Sequence, residues 1–248
     1  MKFNYVYHLG KYTLFIKSML TKPVKTRIFI KRVFEEMNNI GIGSLPIVAI
    51  ISIFIGAVTT VQTAYQLVVS YIPMSVIGQI VSDSTILELS PTIMSLVLAG
   101  KVGSHIASEM GTMRVTEQID ALDVMGINAA NHLILPKIIA GMLMFPILNT
   151  ISMVLSIWGG ITAGELSGIL TQEQFLDGAR ETFKGFLVFF SLLKAFTFSM
   201  IITSISAYQG YYTKGGALEV GAASTRAVVF SCVMILFADY VLAQLLLK

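Results

Sequence analysis

The most regular feature of the chain is the way charge-free apolar stretches alternate with short charged segments. Residues 37–82 contain no charged side chain at all. Their first part, 45–69, is long enough to cross a hydrocarbon core of ~30 Å as a helix, and Tyr71 and Pro73 then mark an interface and a turn. A second span runs over 86–107 through Pro91, interrupted by Lys101 and His105. A third, 138–164, is again charge-free and holds Pro146 and Trp158. Residues 185–208, with Lys194 inside, and 228–247, with Asp239 inside, predict a fourth and a fifth. The expected fold is therefore all-α: a polytopic membrane protein of about five transmembrane helices.

Two amphipathic segments break this pattern. Near the start, Ile30, Val33, Phe34 and Met37 recur at helical spacing opposite Lys31, Arg32, Glu35 and Glu36, with Lys22, Lys25 and Arg27 before them. Such a helix suits the headgroup plane of a membrane. Residues 1–40 thus read as a basic arm with an interfacial helix, and 41–248 as the membrane domain. Between the second and third spans, residues 109–136 read EMGTMRVTEQIDALDVMGINAANHLILP. Val115, Ile119, Leu122 and Met125 make one apolar stripe, Arg114, Glu117, Asp120 and Asp123 line the other side, and Gly126 is a natural stop. A short helix over about 112–126, tied to a span at each end, can pass force from a soluble partner or lie passively on the membrane.

Composition agrees with the spans. Of 248 residues 55% are hydrophobic and 12% charged, and the mean hydropathy is +0.78. Soluble domains carry about 25% charged residues, so this supply does not coat a globular surface. Eight of the 17 Lys and Arg lie in the first 32 residues. In a membrane chain this is the positive-inside bias rather than a nucleic-acid arm, which places the N-terminus in the cytoplasm and, with five spans, the C-terminus in the periplasm. The loops near Ser75 and Glu173 then fall outside, although the second carries Arg180 and Lys184. Cys232 is the only cysteine, and His8, His105 and His132 are scattered, which excludes an internal disulfide framework and an evident metal cluster.

Ionisable residues inside spans are costly and suggest function by default. Lys101, His105 and Glu109 fall at i, i+4 and i+8 and predict a polar ladder at the exit of the second span. Asp239 has no partner nearby in sequence, and Lys194 is a candidate across helices. Gly160 and Gly164 form one GxxxG among many small residues suited to close helix packing. Gln62 and Tyr65 interrupt the first span, beside Phe54, Val58, Val61, Leu67 and Val69. This is the mostly apolar, sparsely polar lining expected of a lipid site. No phosphate-binding loop of the G-x-x-x-x-G-K-[ST] type occurs, so no nucleotide cofactor is expected on this chain. ATP and Mg, if used, belong to a partner.

The run AGKVGSHIASEMGTMRVTEQIDALDVMGINAANHLILPKIIAG (residues 99–141) resembles the signature region of the MlaE/YrbE family, the permeases of MCE-associated ABC lipid transporters. Glu88-Leu89-Ser90-Pro91 is similar to the family's RELGP, with Leu87 where the family has arginine. GYYTKGGALEVGAASTRAVV (210–229) resembles its C-terminal motif. The resemblance implies an ATP-driven phospholipid permease of the bacterial inner membrane, acting as a homodimer in maintaining outer-membrane lipid asymmetry. The partners it implies are an ABC ATPase (MlaF-like), an MCE-domain protein (MlaD-like) and a STAS protein (MlaB-like), with no nucleic acid. It makes residues 112–126 a coupling helix, with Arg114, Glu117, Asp120, Leu122, Asp123 and Met125 facing the ATPase. It puts Phe54, Val58, Val61, Gln62, Tyr65 and Glu88 at the lipid site. Two other functions compete: a scaffold that only anchors an ATPase and MCE complex, and an intramembrane enzyme suggested by Gly103-Ser104-His105 and Asp239. Adjacent Ser and His on one helix point about 100° apart, which disfavours the enzyme.

Overall fold

The structure, a computed structural model, describes residues 5–19, 26–67, 73–181 and 183–246. Lys22, Lys25, Val69 and Tyr71 lie outside them. Among the described residues all regular structure is helical. Helix α1 is Tyr5–Met19 and α2 is Thr26–Ile40. A single 3₁₀ turn, Ile42–Ser44, leads into α3, Leu45–Gln66, whose Pro46 sits in the first turn where no intrahelical N–H is needed. Helix α4 is Ser75–Val115, α5 Gln118–Val124, α6 Ala130–Leu166, α7 Gln172–Glu181, α8 Gly185–Tyr211 and α9 Ala217–Leu246. The stretch containing α3, together with α4, α6, α8 and α9, is long and apolar enough to cross a membrane. Helices satisfy their own backbone groups, which lipid requires. The chain is a polytopic membrane protein.

Three expectations need correction. Residues 5–19 form a helix that the charge pattern did not indicate. The Ser75 region is not a loop but the first turn of α4, which begins well before Ile86. The segment around Glu173 is also helical, as α7. Its sequence is mostly polar, yet Phe175 and Gly178 on one face are buried.

The chain forms two compact units. One comprises residues 43–97, 145–197 and 239–248, the other 1–42, 98–144 and 198–238. In the first unit α3 meets α6 along a seam of small residues. Val48, Ser52, Gly56, Thr60 and Ala64 recur every fourth residue and are buried. A Cβ on Gly56 would fall on the Ser156 backbone carbonyl, and one on Gly159 would lie 2.3 Å from the Ile53 carbonyl oxygen. These backbones therefore touch, and dispersion between them replaces the hydrophobic drive that lipid withholds. Ser52 donates to Ser152 at 2.8 Å, and Ser156 to the Ser52 carbonyl at 2.9 Å. Of the predicted GxxxG pair, Gly160 joins this seam against Thr60, while Gly164 packs on Leu170. Helix α7 lies on the first turns of α4, where Phe175 fits over Gly78 and Gly178 over Ser75.

In the second unit, α1 docks through Phe15 on Tyr208, Tyr211 and Tyr212, with ring centroids 5.3–5.7 Å apart. Tyr12 and Ser204 share a hydroxyl hydrogen bond of 2.7 Å. The last carbonyls of a helix need outside donors. Asn128 and Asn131 provide them, to Ser18 at 2.7 Å and Met19 at 2.5 Å.

Candidate functional site

Helix α5 sits in the short connection between α4 and α6. Sequence periodicity predicted one helix over 112–126, and the structure divides it. The turn is made at Glu117, the only non-glycine residue with positive φ (59°) among those described. The backbone cost of that conformation is about 1–2 kcal/mol, offset in part by an Arg114–Asp120 ion pair of 2.7 Å that bridges the turn. The end of α5 follows a standard exit: Gly126 (φ 74°) donates to Asp123 and Ile127 to Leu122, the paired bonds of a Schellman motif.

The break redistributes the stripe. Ile119 is fully buried and Leu122 half-buried, whereas Met125 is 65% exposed and its neighbour Val124 89%. Glu117 and Asp123 are exposed, and Arg114 and Asp120 are committed first to each other. The open surface is thus an apolar tip, Val124 and Met125, flanked by carboxylates. Val124 escaped the sequence reading because it lies off the predicted stripe. Arg114 also stands 5.7 Å from the Tyr211 ring, and Lys11 of α1 3.5 Å from that of Tyr212. Burial, with Lys214 and Arg114 close by, holds the Lys11 ammonium below the usual lysine pKa.

Phe54, Val58, Val61, Gln62 and Tyr65 all lie on the exposed face of α3, opposite the small-residue seam. Ile47 and Ile50 extend this apolar strip. Glu88 does not join it, since its partners come from α4, α8 and α9 instead. Pro91 lacks the N–H that an α-helix uses, and α4 widens to a π-helical stretch over Thr85–Ile93 around it. Glu88 belongs to that stretch. Its Oε1 accepts from Lys194 Nζ at 2.7 Å. The same ammonium lies 2.7 Å from Asp239 Oδ1 of α9 and donates to the Leu87 carbonyl at 3.1 Å. The cross-helix Lys194–Asp239 pair expected from sequence is therefore present, with Glu88 as its third member.

A second lysine cluster lies in the other unit. Lys137 of α6 donates to Glu36 of α2 at 2.5 Å and to Glu109 of α4 at 2.8 Å. Glu109 also lies 3.8 Å from His105. The predicted ladder of Lys101, His105 and Glu109 needs amending, because the principal cation on Glu109 is Lys137, from another helix. Ser104 and His105 do not face each other as a nucleophile and base. The Ser104 hydroxyl donates to the carbonyls of Gly100 and Lys101.

Known proteins are similar to this chain in sequence along most of its length. A sequence profile described as "Permease MlaE" matches residues 33–245. A probable ABC transporter permease of Rickettsia bellii is 35% identical over 240 residues, 97% of this chain and 92% of the relative. Another, from Synechocystis, is 36% identical, covering 90% of this chain and 84% of its own. The intermembrane phospholipid transport system permease MlaE of Haemophilus influenzae is 27% identical, over 86% of this chain and 81% of that protein. The profile and the relatives extend along nearly all the chain, through all five spans and the α5 connection, and the protein belongs to the MlaE permease family.

Proposed function

We infer that this permease subunit moves phospholipid between the inner and outer membranes, driven by ATP that a separate ATPase hydrolyses while docked on α5. The observation that carries the reading is the projecting tip of α5. Val124 and Met125 are open apolar side chains on a helix braced at both ends, and apolar anchors ringed by charge are how partner surfaces are held. The exposed strip from Phe54 to Tyr65 is the proposed lipid-handling face and the contact with a second copy of the chain. Residues 1–40 then lie as an arm along the cytoplasmic membrane surface, and 41–248 form the permease domain. An MCE-domain protein and a STAS protein complete the assembly. The name of the Haemophilus relative, intermembrane phospholipid transport, supports the choice of substrate.

The test is co-purification with the ATPase, comparing the wild type with Val124→Asp plus Met125→Asp. Both side chains are exposed, so the altered permease should fold and lose its ATPase. Retention of the ATPase would sink the docking site. Proteoliposomes holding the assembled complex should transfer phospholipid only with ATP, and a complex that hydrolyses ATP without transfer would be a scaffold. Phe54→Asp with Val61→Asp should abolish transfer while leaving the ATPase bound.

A further inference from the structure

Helix α1 belongs neither to the open tip of α5 nor to the apolar strip of α3, yet its contacts converge on α5. At the entry of α5, the buried Phe15 ring of α1 stands 5.3 Å from that of Tyr211. The Arg114 guanidinium lies 5.7 Å from the same Tyr211 ring, within the ~6 Å reach of a cation–π contact. Arg114 is also the residue whose ion pair with Asp120 bridges the left-handed turn at Glu117. Phe15 thus reaches that turn through two side chains.

At the exit, Asn128 stands two residues beyond Gly126. Its side-chain N–H donates to the Ser18 carbonyl at 2.7 Å, and its Oδ1 accepts from the Asn131 backbone N–H at 3.2 Å. One side chain therefore serves an open carbonyl at the end of α1 and an open N–H in the first turn of α6. Asn131, buried, adds a bond to the Met19 carbonyl. Helix α5 needs such support. It has seven residues, with Ile119 as its buried side chain, and an isolated helix holds itself only from about 12–15 residues.

We propose that α1 is a brace that sets the pose of α5, with Phe15 and Asn128 as positioning residues, so that a push on α5 reaches the spans only while α1 is docked. This role rests on the ATPase-docking reading above and adds the element that keeps the docking surface rigid. A braced α5 passes the motion of its partner to α4 and α6. A loose one yields to it, and ATP is hydrolysed without moving lipid.

Hydrogen exchange on the purified full-length permease tests the brace, and lipid moved per ATP hydrolysed, in proteoliposomes of the assembled complex, tests its effect. Asn128→Asp keeps the oxygen that serves Asn131 and removes the donor to Ser18. Helix α1 should then exchange faster and the α5 amides about tenfold faster, the size of one lost hydrogen bond, with α3 unchanged. The ATPase should stay bound and active while lipid moved per ATP falls by a similar factor. Phe15→Ala should act in the same direction and more strongly. Phe15→Leu keeps an apolar side chain against the tyrosines and should restore most of the coupling. If α1 loosens and α5 does not, α1 is no brace. Unchanged exchange in α1 itself would overturn the proposal, as would a loosened α5 with lipid per ATP unaltered. The docking reading fails separately, when Val124→Asp with Met125→Asp retains the ATPase, because the exchange measurement involves no ATPase.

Discussion

Lys137 and Lys194 are each buried lysines between two carboxylates, in different units of the chain, and their surroundings differ. The side chain of Lys137 is 3% exposed and draws its partners from α2 and α4, with His105 as a second basic group beside Glu109. Since α4 and α6 are the helices that flank α5, this cluster clamps the base of the proposed docking element to α2. Lys194 ties α4, α8 and α9 together, with only Thr92 to serve the oxygens it does not reach. Equal stoichiometry thus yields a clamp in one place and, in the other, a donor-poor cluster in which Asp239 Oδ1 is buried and accepts no hydrogen bond from the described residues. The neighbours of the carboxylates make the difference, not the lysine.

The largest effect expected from breaking this comparison is that of Lys194→Met. Removing the cation strands two carboxylates, and breaking a buried pair costs about 3–5 kcal/mol. Thermal unfolding in detergent should show it, and adding Glu88→Gln and Asp239→Asn should restore most of the loss. A single variant as stable as the wild type would refute the buried triad. Lys137→Met should cost less, about 2–3 kcal/mol, because His105 stays beside Glu109 as a second basic group. Its signature should be faster hydrogen exchange in α2 with α3 unaffected. If both helices loosen equally, the clamp is not local. Thr92→Val removes a long, shared hydrogen bond, and a stability loss of about 0.5–1.5 kcal/mol is expected. A larger loss would mean that the hydroxyl holds the cluster together. The smallest effect belongs to His105→Gln, under about 0.5 kcal/mol by the same unfolding assay, as is usual for an exposed ion pair.

How much of this was legible in the sequence varies with the range of the interaction responsible. The spans were legible because lipid imposes one rule on every residue of a crossing helix, and the long charge-free run within 37–82 obeys it without tertiary help. The role of Asp239 was half legible: a lone carboxylate in a span calls for a cation, and Lys194, inside another span, was a candidate. Glu88 was not expected in that pair, because its placement depends on the π-helical widening around Pro91. For Glu109 the ladder of i and i+4 neighbours pointed to His105 and Lys101, but Lys137 comes from a helix that only folding brings near. Helix α7 was hidden because its burial rests on two residues, Phe175 and Gly178, meeting Gly78 and Ser75.

The coupling segment separates the two sources most clearly. Its amphipathic pattern, its stop at Gly126 and its place between two spans are local properties, set by side-chain period and backbone preference, and the sequence by itself determined them. The apolar residues that stay free were decided only in three dimensions. The left-handed turn at Glu117, bridged by Arg114 and Asp120, rotates α5 so that Ile119 turns inward while Val124 and Met125 face out. Periodicity assumes an unbroken helix axis and has no term for that rotation. The lysine clusters follow the same reasoning: composition supplied the charges, and the neighbouring helices chose which of them met.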